Sequence, residues 1–218
     1  RDEMFKVAQV WARAEKGGDI PDRMMISDDG GANLTFNRGK TWERVTSPIA
    51  QMYHVNVDNQ IPYFVYGGKQ DGSGYKGPSN VRARGWGVST NDWESSAGCE
   101  SGFIVPDPVN PEVVWGGCYT GGFTKVDYRT GHERSVNIWP ESSYAAAAKD
   151  VKYRINWTFP ITISPHDHNK VYVGSQYVHQ STDGGESWRK LTQGLPEGEL
   201  GRIGIDIYRS DPRTVVAS

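Results

Sequence analysis

Four segments of the chain share one plan, and that repetition constrains the fold more than any other feature. Each carries alternating apolar residues, a Pro/Asn/Asp turn, a short β-branched and aromatic run, and then a small residue. They are MYHVNVDNQIPYFVYGG (52–68), FIVPDPVNPEVVWGG (103–117), ITISPHDHNKVYVGS (161–175) and IGIDIYRSDPRTVVAS (203–218). The small residue falls at Gly67, Gly116, Gly174 and Ala217, in steps of 49, 58 and 43 residues. Units of that size with period-2 alternation predict four-stranded propeller blades. The expected fold is all-β: a β-propeller of antiparallel blades, each a meander of strands A, B, C and D.

The spacing places a partial blade at 22–45, whole blades at 50–95, 100–139 and 157–193, and strands A and B of another at 199–218. The propeller region is thus 20–218. Rings close with four to eight blades, so these units are expected to belong to a larger propeller, about seven-bladed or tandem, that continues into further blades. Residues 1–19 stand apart. Met4, Val7, Ala8, Trp11 and Ala14 recur at helical spacing before Gly17-Gly18, which predicts a short helix.

A second repetition lies inside the blades. TFNRGKTW (35–42) and STDGGESW (181–188) both read Ser/Thr, any, Asp/Asn, any, Gly, any, Ser/Thr, Trp. In the unit ending near Leu191 this stretch falls at the C–D hairpin. STNDW (89–93) and DYRTGHE (127–133) take the matching place in earlier units. Gly39 and Gly185 tolerate the positive φ of a tight hairpin. Asn37 and Asp183 are expected to accept turn N–H groups, with Thr35 and Ser181 adding weaker bonds. Trp42 and Trp188 supply large apolar plates between neighbouring sheets. A catalytic site needs one copy, so the repetition points to a structural staple rather than to chemistry at Asp183.

With these stretches the chain resembles the Asp-box, or BNR-repeat, propellers: sialidases, xyloglucanase-type glycoside hydrolases and sortilin-type receptors. The segments that carry the likeness are ISDDGGANLTFNRGKTW (26–42), VYGGKQDG (65–72) and KYRINWTFPITISPHDHNKVYVGSQYVHQSTDGGESW (152–188). The resemblance implies a large secreted protein of sortilin-like or glycosyl-hydrolase-like type. It implies no particular active residue here, because Asp-boxes occur in enzymes and receptors alike.

In an antiparallel meander the A–B and C–D turns share one end, and the B–C turns and D-to-A connections share the other. The second end gathers Asp28, Asp29, Gln70, Asp71, Tyr119, Gln176 and Tyr177 from B–C turns, and Gln51, Glu100, Trp157 and Glu199 from connections. Lys149, Asp150, Tyr153 and Arg154 lie before Trp157. Carboxylates, amides and aromatics of this kind suit sugars. Asp28, Asp29, Gln70, Tyr119, Arg154, Trp157, Gln176 and Tyr177 form the candidate ligand face. Asp71 and Glu100, from adjacent blades, are the candidate acid pair, since glycoside hydrolysis commonly uses two carboxyl groups roughly 5–9.5 Å apart. The first end holds His166-Asp167-His168, which lacks an identifiable third ligand, so no metal site and no cofactor is expected.

Net charge is -2, which argues against nucleic acid as a partner. No apolar run is long enough to span a bilayer. The cysteines, Cys99 and Cys118, are two in number. If the turn after Val105 is centred between Pro108 and Val109, Val105 faces Glu112, Gly102 faces Trp115 and Cys99 faces Cys118. That register predicts a Cys99–Cys118 disulfide in an oxidising compartment, and hence an extracytoplasmic protein. Two functions follow: a module that binds or assembles with a protein or glycan, and a glycoside hydrolase that cuts a polysaccharide with second-end acids.

Overall fold

The computed structural model describes residues 22–28, 31–45, 50–81, 87–141, 143–198 and 200–218. The expected N-terminal helix, Asp29 and Glu199 lie outside the described residues. The chain divides into two compact units between Ile49 and Ala50.

The described part of the first unit is a three-stranded antiparallel meander: β1 (Met24–Asp28), β2 (Gly31–Thr35) and β3 (Glu43–Val45). The second unit holds four sheets in chain order. The first contains β4 (Met52–Val57), β5 (Phe64–Lys69), β6 (Ser73–Pro78) and β7 (Glu94–Cys99). The next contains β8 (Ile104–Pro106), β9 (Val113–Gly117), β10 (Phe123–Asp127) and β11 (His132–Ser135). Then come β12 (Ile161–Ile163), β13 (Val171–Gly174), β14 (Val178–Ser181) and β15 (Arg189–Lys190), followed by the pair β16 (Ile205–Ile207) and β17 (Val215–Ala217). Every pairing is antiparallel between consecutive strands. The fold is all-β and built of propeller-type blades.

Period-2 alternation explains how the blades of the second unit stack. Tyr66, Ala97, Ile104 and Val114 fill the core between the β4–β7 and β8–β11 sheets. The next residue on β9, Trp115, points to the other face. There it joins Phe123, Phe159, Ile161, Val171 and Val173 between the β8–β11 and β12–β15 sheets. The residue between the two valines of β13, Tyr172, turns in the opposite sense and packs with Val178, Ile203 and Ile207 against the β16–β17 pair. A buried aromatic or branched side chain of this kind is worth about 1.5–3 kcal/mol relative to exposure, and β9 and β13 each contribute to two such cores.

The A–B turns repeat one bond. The backbone N–H groups of Asp58, Asp107, Ser164 and Tyr208 donate to Phe64, Val113, Lys170 and Thr214 carbonyls. Successive turns also touch. Asn59 Nδ2 donates to the Pro108 carbonyl at 3.0 Å. His168 Nδ1 lies 3.0 and 3.1 Å from the Asp107 carboxylate oxygens, and His166 Nε2 lies 3.1 Å from the Tyr208 carbonyl. These histidines are thus occupied in linking one blade to the next.

The two repeated hairpins have matching hydrogen bonds. Gly39 N and Gly185 N donate to Thr35 Oγ1 and Ser181 Oγ at 2.9 and 2.8 Å. Thr41 N and Ser187 N donate to Asn37 Oδ1 and Asp183 Oδ1 at 2.9 and 3.0 Å. Gly39 and Gly185 have φ of +82° and +90°, the left-handed region that costs glycine least. Three donors converge on Asp183, from Ser181 Oγ, Ser187 N and Ser187 Oγ, and hold its carboxyl well below the usual carboxylate range. Trp188 packs on Phe123 with centroids 5.9 Å apart, and its Nε1 donates to the Val136 carbonyl at 3.1 Å. It is therefore the inter-sheet plate the pattern predicts. Trp42 is 38% exposed, with its ring against Gly39.

A disulfide joins Cys99 and Cys118, but the register behind its prediction is corrected. Val105 pairs with Trp115 and Ile104 with Gly116, three positions away from a turn centred between Pro108 and Val109. Cys99 is not opposite Cys118 on one hairpin. It ends β7, the last strand of one blade, and Cys118 follows β9 of the next. A bulge between Ser73 and Gly74 lets Ala97 and Gly98 leave the ladder and approach the neighbouring sheet. A Cβ on Gly116 would lie 2.2 Å from Gly98 N, and one on Gly102 would lie 1.8 Å from the Gly117 carbonyl. Only glycine permits this backbone approach.

Candidate ligand-binding face

Within the second unit, the B–C turns and D-to-A connections meet at one end of the blades. Gln70, Asp71 and Glu100 come together there. Gln70 Nε2 donates to Asp71 Oδ1 and Glu100 Oε2, both at 3.1 Å. Asp71 N donates to Glu100 Oε2 at 2.9 Å. The Tyr53 hydroxyl donates to Gln70 Oε1 and accepts from Gln51 Nε2, each at 2.9 Å. Asp71 has φ of +57°, a strained setting for a side-chain-bearing residue, and the Glu100 carboxylate braces it. Glu100 is therefore first a brace for the β5–β6 turn of the blade that β7 completes.

The second group is aromatic. The turn after β9 carries Tyr119, whose ring stacks on Trp157 at 4.6 Å and 16°; Tyr144 joins at 5.8 Å. Trp157 is 53% exposed and Tyr144 63%, so the platform faces solvent. Beside it opens a cleft of about 420 Å³, lined among others by Tyr119, Asn137, Trp139, Glu141, Asp150 and Tyr153. Trp139 donates its Nε1 to Glu141 Oε2 at 3.3 Å. The Lys152 ammonium lies 3.4 Å from the Trp139 ring centre, within cation–π range. Tyr153 meets Trp139, Tyr177 and His179 edge-on.

A polar frame holds the connection that bears these rings. Gln176, 4% exposed, accepts from Arg154 N at 2.7 Å and donates to the Lys152 carbonyl at 3.2 Å. Its own carbonyl accepts from Leu200 N at 3.0 Å. Its amide thus positions the loop. His179, 1% exposed, shares a 2.8 Å hydrogen bond with Ser175 Oγ. Burial and then the Lys190 charge push its pKa down to about 4, so it is neutral in the fold at pH 7. Ser143 Oγ donates to the Thr120 carbonyl at 2.9 Å and ties the connection to the β9–β10 turn.

Of the candidate residues, the structure brings Gln70, Asp71 and Glu100 into one network and stacks Tyr119 with Trp157. Arg154 and Gln176 line a second cleft of about 620 Å³ beside the first. Tyr177 underpins Tyr153 and lies beneath the Lys190 ammonium at 4.1 Å. Asp28 ends β1 of the first unit. Trp139, Glu141, Tyr144 and Lys152 escaped sequence reasoning. They lie between β11 and β12 in a long connection without strand periodicity. Its one usable signal was aromatic density, Trp139, Tyr144, Tyr153 and Trp157, since long irregular loops in compact domains are often functional.

No family model and no curated protein matches the chain. Among solved structures it is similar to YCF48 from Cyanidioschyzon merolae, with 16% identity and a TM-score of 0.47 over 87% of this chain and 59% of that one. It is similar to a GH74 xyloglucanase from Xanthomonas campestris, with 14% identity and a TM-score of 0.44 over 89% of this chain and 33% of that one. It is also similar to AztD from Citrobacter koseri, with 13% identity and a TM-score of 0.41 over 83% and 46%. The chain thus spans at most 59% of the length of these three structures. Likeness at this level carries nothing about ligand or chemistry. Among the described residues no helix is long and apolar enough to cross a membrane.

Proposed function

We propose that the chain is an extracytoplasmic Asp-box propeller module that binds a glycan on its B–C and D-to-A end. The observation that carries this function is the solvent-facing Tyr119–Trp157 stack beside the 420 Å³ cleft. Flat aromatic faces pack on the C–H faces of pyranose rings, and convergent amides and acids bond the hydroxyls. The cleft volume falls within the roughly 300–1,000 Å³ of small-molecule sites, and its lining mixes aromatic rings with polar groups such as Asn137, Glu141, Asp150 and Lys152. The disulfide supports an oxidising compartment. The test is retention on gels containing xyloglucan, xylan, mannan, pectin, alginate or chitin. Wild-type chain is expected to be retained by at least one. Trp157→Ala and Tyr119→Ala are each expected to weaken binding at least about tenfold, as for buried aromatic anchors. A chain retained by none of them, or variants that bind as well as wild type, would refute the function.

Hydrolysis at Asp71 and Glu100 is the second function that the geometry favours. One amide nitrogen, Gln70 Nε2, donates to both carboxylates at 3.1 Å. Their oxygens therefore lie no more than about 6.2 Å apart, compatible with a glycosidase acid pair. Against it stands the use of Glu100 as a turn brace. Release of reducing sugar from the retained polysaccharide, abolished by Asp71→Asn or Glu100→Gln in a folded chain, would establish hydrolysis. Retention without release leaves binding as the function.

A further inference from the structure

We infer that the Cys99–Cys118 disulfide joins two binding patches into one extended site, and that the ligand is a linear oligosaccharide of several residues rather than a single sugar. This inference rests on the glycan-binding function proposed above. Each cysteine stands immediately before a residue of a different patch, Cys99 before Glu100 and Cys118 before Tyr119. The two come from neighbouring blades, with Cα atoms 4.8 Å apart. Consecutive Cα atoms are 3.8 Å apart, so those of Glu100 and Tyr119 lie within about 12.4 Å of each other.

From this cross-link the two side chains serve different blades. Glu100 turns to Gln70 and Asp71 of the β5–β6 turn. Tyr119 turns to Trp157 and Tyr144 of the connection between β11 and β12. The two side chains thus lead from the cross-link to different turns, and a ligand that touches both patches spans those turns, as a chain of several sugar rings can. Close backbone packing next to the cross-link, Gly102 against Gly117, holds the two turns in register. Two patches fixed in this way act as a bivalent surface. Once one patch is occupied, the other meets the same ligand at high effective concentration. Loosening the connection restores the ordering cost that rigidity had removed.

Titration of the oxidised chain with oligosaccharides of two, three, four and six residues, cut from each polysaccharide of the panel, tests this. Affinity is expected to rise at least about tenfold from the disaccharide to the hexasaccharide. In the Cys99→Ser/Cys118→Ser variant, with its fold checked by circular dichroism and melting, that gain is expected to fall below about threefold. Equal affinity for the two lengths in the oxidised chain overturns the extended site. A gain that survives in the folded variant overturns the role of the disulfide. If the variant does not fold, Glu100→Gln takes its place: its loss is expected to be larger for the hexasaccharide than for the disaccharide, and equal losses overturn the inference. Binding at no length instead overturns the glycan function itself.

Discussion

At the residue scale, the same side-chain types perform unlike tasks according to what surrounds them. Asn37 and Asp183 both cap a hairpin, yet the Asn37 amide donates to Thr41 Oγ1 at 2.7 Å where the Asp183 carboxylate accepts from Ser187 Oγ at 2.5 Å. Histidine is equally divided. His168 reaches the buried Asp107 carboxylate, whereas His179 is sealed beneath Tyr153. Because burial depresses the His179 pKa from 6.5 to about 4, the unfolded chain binds the extra proton first as pH falls. Its stabilising effect is full above pH 6.5 and declines as pH falls toward 4, by roughly 3 kcal/mol in all. Melting temperature followed from pH 7 to pH 4 is expected to fall less steeply in His179→Gln than in wild type. Equal slopes would show that His179 does not titrate as its burial implies.

At the element scale, the meander and its turns were legible because they repeat. The small residue of each B strand, the Asp or Ser after β4, β8 and β12, and the Gly of each Asp-box hairpin recur at blade spacing. Each answers a local requirement of backbone conformation or close approach. Connections have no such rule. The stretch from 136 to 160 carries no alternation, so the rings that it brings to Tyr119 could be counted in the sequence but not placed. The cysteines are the instructive case. A single hairpin would set them opposite one another, yet their contact arises because the bulge at Ala97-Gly98 carries the end of β7 onto the next sheet. No hydrophobic pattern announces a bulge. The fate of the tryptophans is likewise set by their surroundings: Trp188 finds Phe123 and the Val136 carbonyl, and Trp42 stays partly exposed. Trp188→Ala is expected to destabilise the fold by about 3 kcal/mol, near the lower end for loss of a packed indole. Urea denaturation measures it; a change below about 1 kcal/mol would mean that the plate contributes little to blade stacking.

At the scale of the whole molecule, the two ends of the second unit have separate roles. One end links blade to blade through Asn59, Asp107, His166 and His168. The other carries the strained Asp71 turn, the aromatic platform and the clefts, and it is bridged by a covalent bond. A repeat fold suits this division, because each blade supplies one B–C turn and one connection to a common surface while its core satisfies the rest of the strand. The measurement that tests this division most directly is hydrogen exchange of the chain with and without the hexasaccharide of the polysaccharide that retains it. New protection is expected at amides 70–72, 99–102, 118–122 and 151–157. Protection confined to the opposite turns, 107–112, 127–132, 164–170 and 182–187, would contradict it.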